Sequence, residues 1–115
     1  MQARWVGLMS PAFTVLADAS VAADSVSPGK LVFDRFCAEC HAPGFGHPGT
    51  QRLATLRGEK LSILENRRDL LPAYVVLVVR QGLVEMPPYR ATEINDAELA
   101  QVASYLGRAV TSRRR

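Results

Sequence analysis

Residues 37–41 read Cys-Ala-Glu-Cys-His, and Cys37 and Cys40 are the only cysteines in the chain. The spacing has a specific chemical use. Two thiols three positions apart on a short turn of helix can each add to one of two vinyl groups along one edge of a porphyrin. A histidine directly after the second thiol then lies beneath the ring, where an imidazole nitrogen can bind iron. C-x-x-C-H is accordingly the attachment motif of a covalently bound haem c. Cys37 and Cys40 are expected to carry the thioethers and His41 one axial bond to iron, with one haem per chain.

Other uses of these residues fit less well. A thioredoxin-like dithiol requires a βαβ setting, whereas the flanks here read as an amphipathic helix and a Pro/Gly-rich loop. Structural zinc takes four Cys or His ligands, and the chain offers only Cys37, Cys40, His41 and His47. His47 stands in Gly-Phe-Gly-His-Pro-Gly, where it reads as an exposed loop residue. A structural disulfide would leave His41 without a purpose.

The first residues resemble a secretory leader: one cation, Arg4, then a modest apolar stretch, then Ala19-Ser-Val-Ala-Ala23 as a small-residue cleavage site. Residues 1–23 are therefore expected to be removed, leaving 24–115 as one domain with a short Arg-rich tail. Ser10, Pro11 and Thr14 interrupt the apolar stretch, so stable membrane insertion is not expected. Removal of Met1 and Met9 makes Met86 the sole methionine, and removal of Trp5 leaves no tryptophan. Arg4 and Asp18 cancel, so the net charge of +3 is kept. It shows no concentrated basic stripe of the kind that binds nucleic acid. An export address suits covalent haem and implies a periplasmic location.

The pattern after residue 24 is helical. Ser27-Pro28 reads as N-cap and first helical residue, opening a helix that runs to the cysteine motif. Pro43, Gly44, Gly46, Pro48 and Gly49 are expected to end regular structure and form a wrapping loop. A short helix is expected over 58–66. Ala73 to Val79 is an apolar run rich in β-branched residues that periodicity cannot separate from a strand, but Pro72 and Gly82 are helix punctuation. Asn95 and Glu98 form a capping-box start, and Leu99, Val102, Ala103, Leu106 and Val110 mark one apolar face. Gly107 is a candidate early stop, and Arg113–Arg115 read as a solvated tail.

Gly82-Leu-Val-Glu-Met86-Pro-Pro-Tyr89 lies between the last two helices. Met86 is the candidate for the second axial position, because a thioether is a soft ligand that raises the reduction potential. Pro87 and Pro88 stiffen the loop that would hold the sulfur. The plain alternative is a methionine filling a gap in the core.

Taken together, Gly29 and Phe33 four apart, Cys37–His41, Gly82…Met86-Pro87, and a last helix with Leu99 and Tyr105-Leu106 resemble the class I cytochromes c. The resemblance spans about 28 to 107. It implies an all-α cytochrome c fold, three to four helices around one covalent haem. It also implies that the first and last helices cross, with Gly29 and Phe33 against Val102, Tyr105 and Leu106. In the same way it implies that the Pro48 carbonyl accepts from the free ring nitrogen of His41. Leu70-Leu-Pro-Ala-Tyr-Val through Met86-Pro-Pro-Tyr is most similar to the small cytochrome subunits of flavin-dependent dehydrogenases such as p-cresol methylhydroxylase. Residues 51–68 are longer and richer in arginine than that pattern.

The expected role is electron transfer, not catalysis: Fe(III)/Fe(II) cycling between a flavin-dependent or other dehydrogenase and a downstream cytochrome or oxidase. Rival readings are a permanent subunit of a dehydrogenase complex, an open-site haem protein for NO or CO, and a small peroxidase. Without tryptophan, the haem propionates need other donors. Arg52, Arg57, Arg67 and Arg68 lie in the segment expected to pass beneath the haem, with Arg57 and Arg67 preferred.

Overall fold

The computed structural model describes residues 25–115; the leader expected over 1–23 lies outside them. Six α-helices follow in order: α1 Pro28–Phe36, α2 Ala38–His41, α3 Pro48–Arg57, α4 Pro72–Gln81, α5 Asp96–Leu106 and α6 Arg108–Arg113. Two 3-10 turns, Glu59–Leu61 and Leu64–Asn66, precede α4. No strand occurs among the described residues, and the only pairing of extended type is an isolated bridge between Leu83 and Met86. The fold is all-α.

Local chemistry explains the helix starts. The Ser27 side chain accepts from the Lys30 amide, with Pro28 in the first turn of α1. Asn95 and Glu98 form a complete capping box: Glu98 N–H donates to Asn95 Oδ1 at 2.9 Å, and Asn95 N–H donates to Glu98 Oε2 at 3.0 Å. Pro72 opens α4, which settles the apolar run as helix. At the other end of the chain, Gly107 closes α5, but a short α6 follows and carries the chain to Arg113. Arg113 donates to the Arg68 carbonyl, so the tail is docked further than its composition suggests.

Two expectations are corrected. The segment 58–66 forms two 3-10 turns in place of one helix. Pro48 and Gly49 do not extend the loop but open α3. Proline at a first helical position costs no hydrogen bond, because that N–H has no partner in the helix anyway. The same logic that identified α1 and α4 applied here and was masked by the neighbouring glycines.

The core forms where α1 crosses α5. Val32, Phe33, Leu70, Val75, Val79, Ile94, Leu99, Val102, Ala103 and Leu106 are buried together. Gly29 permits the crossing: a Cβ there would lie 2.2 Å from the Gln101 carbonyl oxygen and 2.5 Å from Tyr105 Cβ. The Phe33 and Tyr105 rings meet at 6.3 Å and 55°, within the range favoured by tilted aromatic pairs. Burying each large side chain contributes about 1.5–3 kcal/mol. The Tyr105 hydroxyl donates to Glu65, and Arg108 donates to the Tyr105 and Glu65 carbonyls, which secures the second 3-10 turn to the crossing.

Candidate haem site

Helix α2 is a single turn that carries Cys40 and His41, with Cys37 as its N-cap. Cys37 caps both α1 and α2; its N–H donates to the Phe33 carbonyl, and its own carbonyl accepts from Cys40 and His41. This turn sets the two sulfurs at helical spacing on the edge of the core. Cys37 is partly buried, Cys40 is exposed, and neither forms a disulfide. Burial, followed by the neighbouring Cys40, pushes the Cys37 thiol up to about 11. Burial likewise lowers the His41 pKa, which favours the neutral imidazole, the form that binds metals.

Helix α3 packs directly behind His41. Thr50 Oγ1 donates to the Ala42 carbonyl at 2.9 Å, tying the first turn of α3 to the end of α2. The His47 ring nitrogen Nδ1 donates to the Glu39 carbonyl at 2.8 Å. A Cβ on Gly49 would fall 2.7 Å from His41 Cε1 and 2.8 Å from the Cys40 carbonyl oxygen. Gly49, read from the sequence only as a loop residue, therefore lies against the imidazole, and Thr50, not singled out there, ties α3 to the end of α2. Their signal was the Pro48 helix start, read as loop.

His41 Nδ1 is buried and has no hydrogen-bond partner among the described residues. The bond expected to the Pro48 carbonyl is not formed. Pro48 opens α3, and the carbonyls of a helix's first turn are directed along its axis toward the residue four positions on.

Met86 stands on a tight turn. Leu83 N–H donates to the Met86 carbonyl at 3.0 Å, and Met86 N–H returns the bond to Leu83 at 2.9 Å. Val84, between them, takes φ 54°. Met86 packs against the same buried cluster as Phe36, Cys37, Ala38 and Tyr89. Two segments far apart in sequence thus pack against the same core.

The candidate arginines are differently placed. Arg67 is clasped by Asp69, with Nε to Oδ1 at 2.9 Å and Nη2 to Oδ2 at 2.6 Å. Arg57 is exposed at the end of α3 and lies close enough to Asp69 to help hold its carboxyl low, after Arg67. Arg52 Nε pairs with Glu85 at 3.2 Å, linking α3 to the Met86 turn. Arg67 and Arg68 line a cleft with Lys60, Arg113 and Arg114.

These residues fit a covalent haem on two further observations. His41 Nδ1 is the ring nitrogen turned toward α3, beside Gly49, which leaves Nε2 as the nitrogen that would bind iron. Helix α4 is apolar over most of its circumference, as buried helices are, yet protein buries only Val75 and Val79. Tyr74, Val76 and Leu77 remain 38–49% exposed, which suits contact with a large planar hydrophobe.

Residues 24–106 match the family described as cytochrome c oxidase, cbb3-type, subunit III, and the chain belongs to this family of c-type cytochromes. It is a haem c protein that transfers electrons. More particularly, it is 33% identical over 101 residues to the 4-cresol dehydrogenase [hydroxylating] cytochrome c subunit of Pseudomonas putida, across 87% of this chain and 77% of that one.

Proposed function

We propose that the chain carries single electrons from a dehydrogenase to a downstream cytochrome or oxidase, with Cys37 and Cys40 forming the thioethers and His41 and Met86 the axial pair. The observation that carries this reading is that Cys37, at the head of α2, and Met86, on its hydrogen-bonded turn, pack against the same buried core. The haem, when bound, supplies the one-electron Fe(III)/Fe(II) couple. The protein's part is to hold and shield it. Gly49 lies against the His41 ring, Thr50 ties α3 to the end of α2, and the Leu83–Met86 turn with its two following prolines restricts the sulfur's freedom. With both axial positions taken by side chains, no site is open to a substrate, so the protein acts as a carrier and not as an enzyme.

A dehydrogenase donor is supported by the relative's name, which places that protein as the cytochrome subunit of 4-cresol dehydrogenase. The same name favours a second reading, permanent membership of a flavoprotein complex. Affinity purification from the native host separates the two: a stoichiometric flavoprotein supports the subunit reading, and a lone cytochrome supports the mobile carrier. No described helix is long and apolar enough to cross a membrane. Together with the leader-like residues 1–23, this supports export to the periplasm, and the N-terminus of the purified protein tests it. The axial assignment is tested by the oxidised spectrum, where a low-spin signal with a sulfur-to-iron charge-transfer band is expected. A high-spin spectrum would overturn it.

A further inference from the structure

The chain leaves α4 through Gly82 (φ 75°), where a Cβ would lie 2.7 Å from the Met86 carbonyl oxygen and 3.0 Å from the Pro88 nitrogen. The outgoing limb of this loop leads from Gly82 straight into the bridged turn of Leu83 and Met86. The returning limb, from Pro87 to Ile94, packs on the core through Ile94, which is 1% exposed, and Tyr89, but makes few hydrogen bonds to the rest of the chain. Its first two residues are prolines, which bring no N–H, and Arg90 and Glu93 bond only to one another and to their own turn. Its hydrogen bonds to α4 are made with two residues of that helix, Val79 and Arg80. Tyr89 N–H donates to the Val79 carbonyl at 2.8 Å. Arg80 makes the remaining bonds: Nη1 donates to the Tyr89 carbonyl at 3.2 Å and the Ile94 carbonyl at 2.9 Å, and Nη2 donates to Asp96 Oδ1 at 2.7 Å.

One guanidinium therefore joins the last turn of α4, Tyr89 and Ile94 of the returning limb and the first residue of α5. Its planar fork suits this task. A lysine would present three donors from one atom and could not span two carbonyls and a carboxylate in a plane. The contacts are unequal. Asp96 is 92% exposed, where ion pairs contribute little. The two carbonyl bonds are partly buried, and removing their donor leaves acceptors that solvent reaches poorly.

We propose that Arg80 is a positioning residue for Met86: it fastens the returning limb to α4 and so determines how readily the sulfur is displaced from iron. This rests on Met86 being the axial ligand. Displacing the sulfur requires the loop to open locally, and the free energy of that opening contains whatever Arg80 contributes. The consequence is a change in ligand exchange at the iron that exceeds any change in the fold.

The test compares holoprotein of the wild type with Arg80→Gln, Arg80→Lys and Asp96→Asn. Imidazole is titrated into each oxidised protein while the sulfur-to-iron charge-transfer band is followed, and the band is then followed against temperature beside the far-ultraviolet helix signal. Arg80→Gln is expected to take up imidazole with roughly tenfold higher affinity and to lose the band well below the temperature at which its helices melt. Arg80→Lys should fall between it and the wild type, and Asp96→Asn should match the wild type. If Arg80→Gln does not accumulate with haem, Arg80→Lys decides the question against the wild type. Unchanged imidazole affinity in the deciding variant, or a band that disappears only with the helices, would overturn the proposal. An Asp96→Asn protein as weakened as Arg80→Gln would also overturn it. A wild-type protein without the band would instead refute the Met86 assignment itself.

Discussion

Gly49 lies against the His41 ring so closely that a Cβ would stand 2.7 Å from Cε1 and 2.9 Å from Nδ1. Both contacts are shorter than any van der Waals approach of carbon, so the ring or helix α3 must move to admit a methyl group. Gly49→Ala is expected to lower stability by about 1–3 kcal/mol and to alter the low-spin electron paramagnetic resonance signal of the oxidised protein. An unaltered signal with unaltered stability would show that α3 yields freely and does not seat the ring.

The α1–α5 crossing supplies a structural counterpart that leaves the haem surroundings alone. In Gly29→Ala the added Cβ meets the Gln101 carbonyl oxygen at 2.2 Å, a backbone atom with no rotamer to change. The cost should be about 1–3 kcal/mol, which for a domain of this size lowers the melting temperature by roughly 4–8 °C per kcal/mol. The visible spectrum should stay unchanged below the transition.

Met86→Ala tests the sixth ligand directly. No other methionine follows the leader-like segment, so no side chain of the same chemistry can replace it. The charge-transfer band should vanish, and the reduced protein should bind about one equivalent of CO, as an iron with an emptied sixth position does. Retention of the wild-type oxidised spectrum would assign Met86 to the core.

Alkaline pH should weaken the fold through the α1–α5 crossing. The Tyr105 pKa is raised by burial and then by its hydrogen bond to Glu65, and that of Lys30 by Asp34. A group whose folded pKa exceeds its unfolded value contributes fully below the unfolded value and loses that contribution as pH rises through the folded one. For tyrosine the decline begins near its ordinary value of 10.0. Denaturant midpoints of the reduced protein at about pH 8 and about pH 11 should differ more for wild type than for Tyr105→Phe. Equal differences would contradict the linkage.

Haem should be required for the fold itself. Much of the apolar surface of α4 lies outside the protein core, and a group that binds only the folded chain stabilises it by mass action. A Cys37→Ala, Cys40→Ala chain prepared without haem should lose most of its far-ultraviolet helix signal. A haem-free chain with native helicity would show that the protein core suffices.

The attachment motif, the Met86 loop and the starts of α1, α4 and α5 were legible because each rests on neighbours within a few residues. The cysteine spacing is a matter of one helical turn, and the Asn95–Glu98 box closes within three positions. Helix α3 was not legible, because Pro48 and Gly49 carry the same signature in a loop as at a helix start, and only the contact with His41 distinguishes them. Arg80 gave still less warning. It reads as a lone cation ending an apolar run, and its partners lie nine to sixteen residues away. Arg67, preferred from sequence as a propionate donor, holds Asp69, two positions on, through the Nε–Nη2 edge of its guanidinium.

By itself, then, the sequence determined the chemistry and the local elements: which side chains can bond to a porphyrin and its iron, and where helices start and stop. Those properties depend on short spacings and intrinsic backbone preferences, which the chain carries whatever its fold. Only the tertiary structure decided that Cys37 and Met86 pack against one core, which glycine backs His41, and which arginine bonds to the loop. Those relations arise from packing between segments distant in sequence, where a side chain's partner is set by how the helices cross.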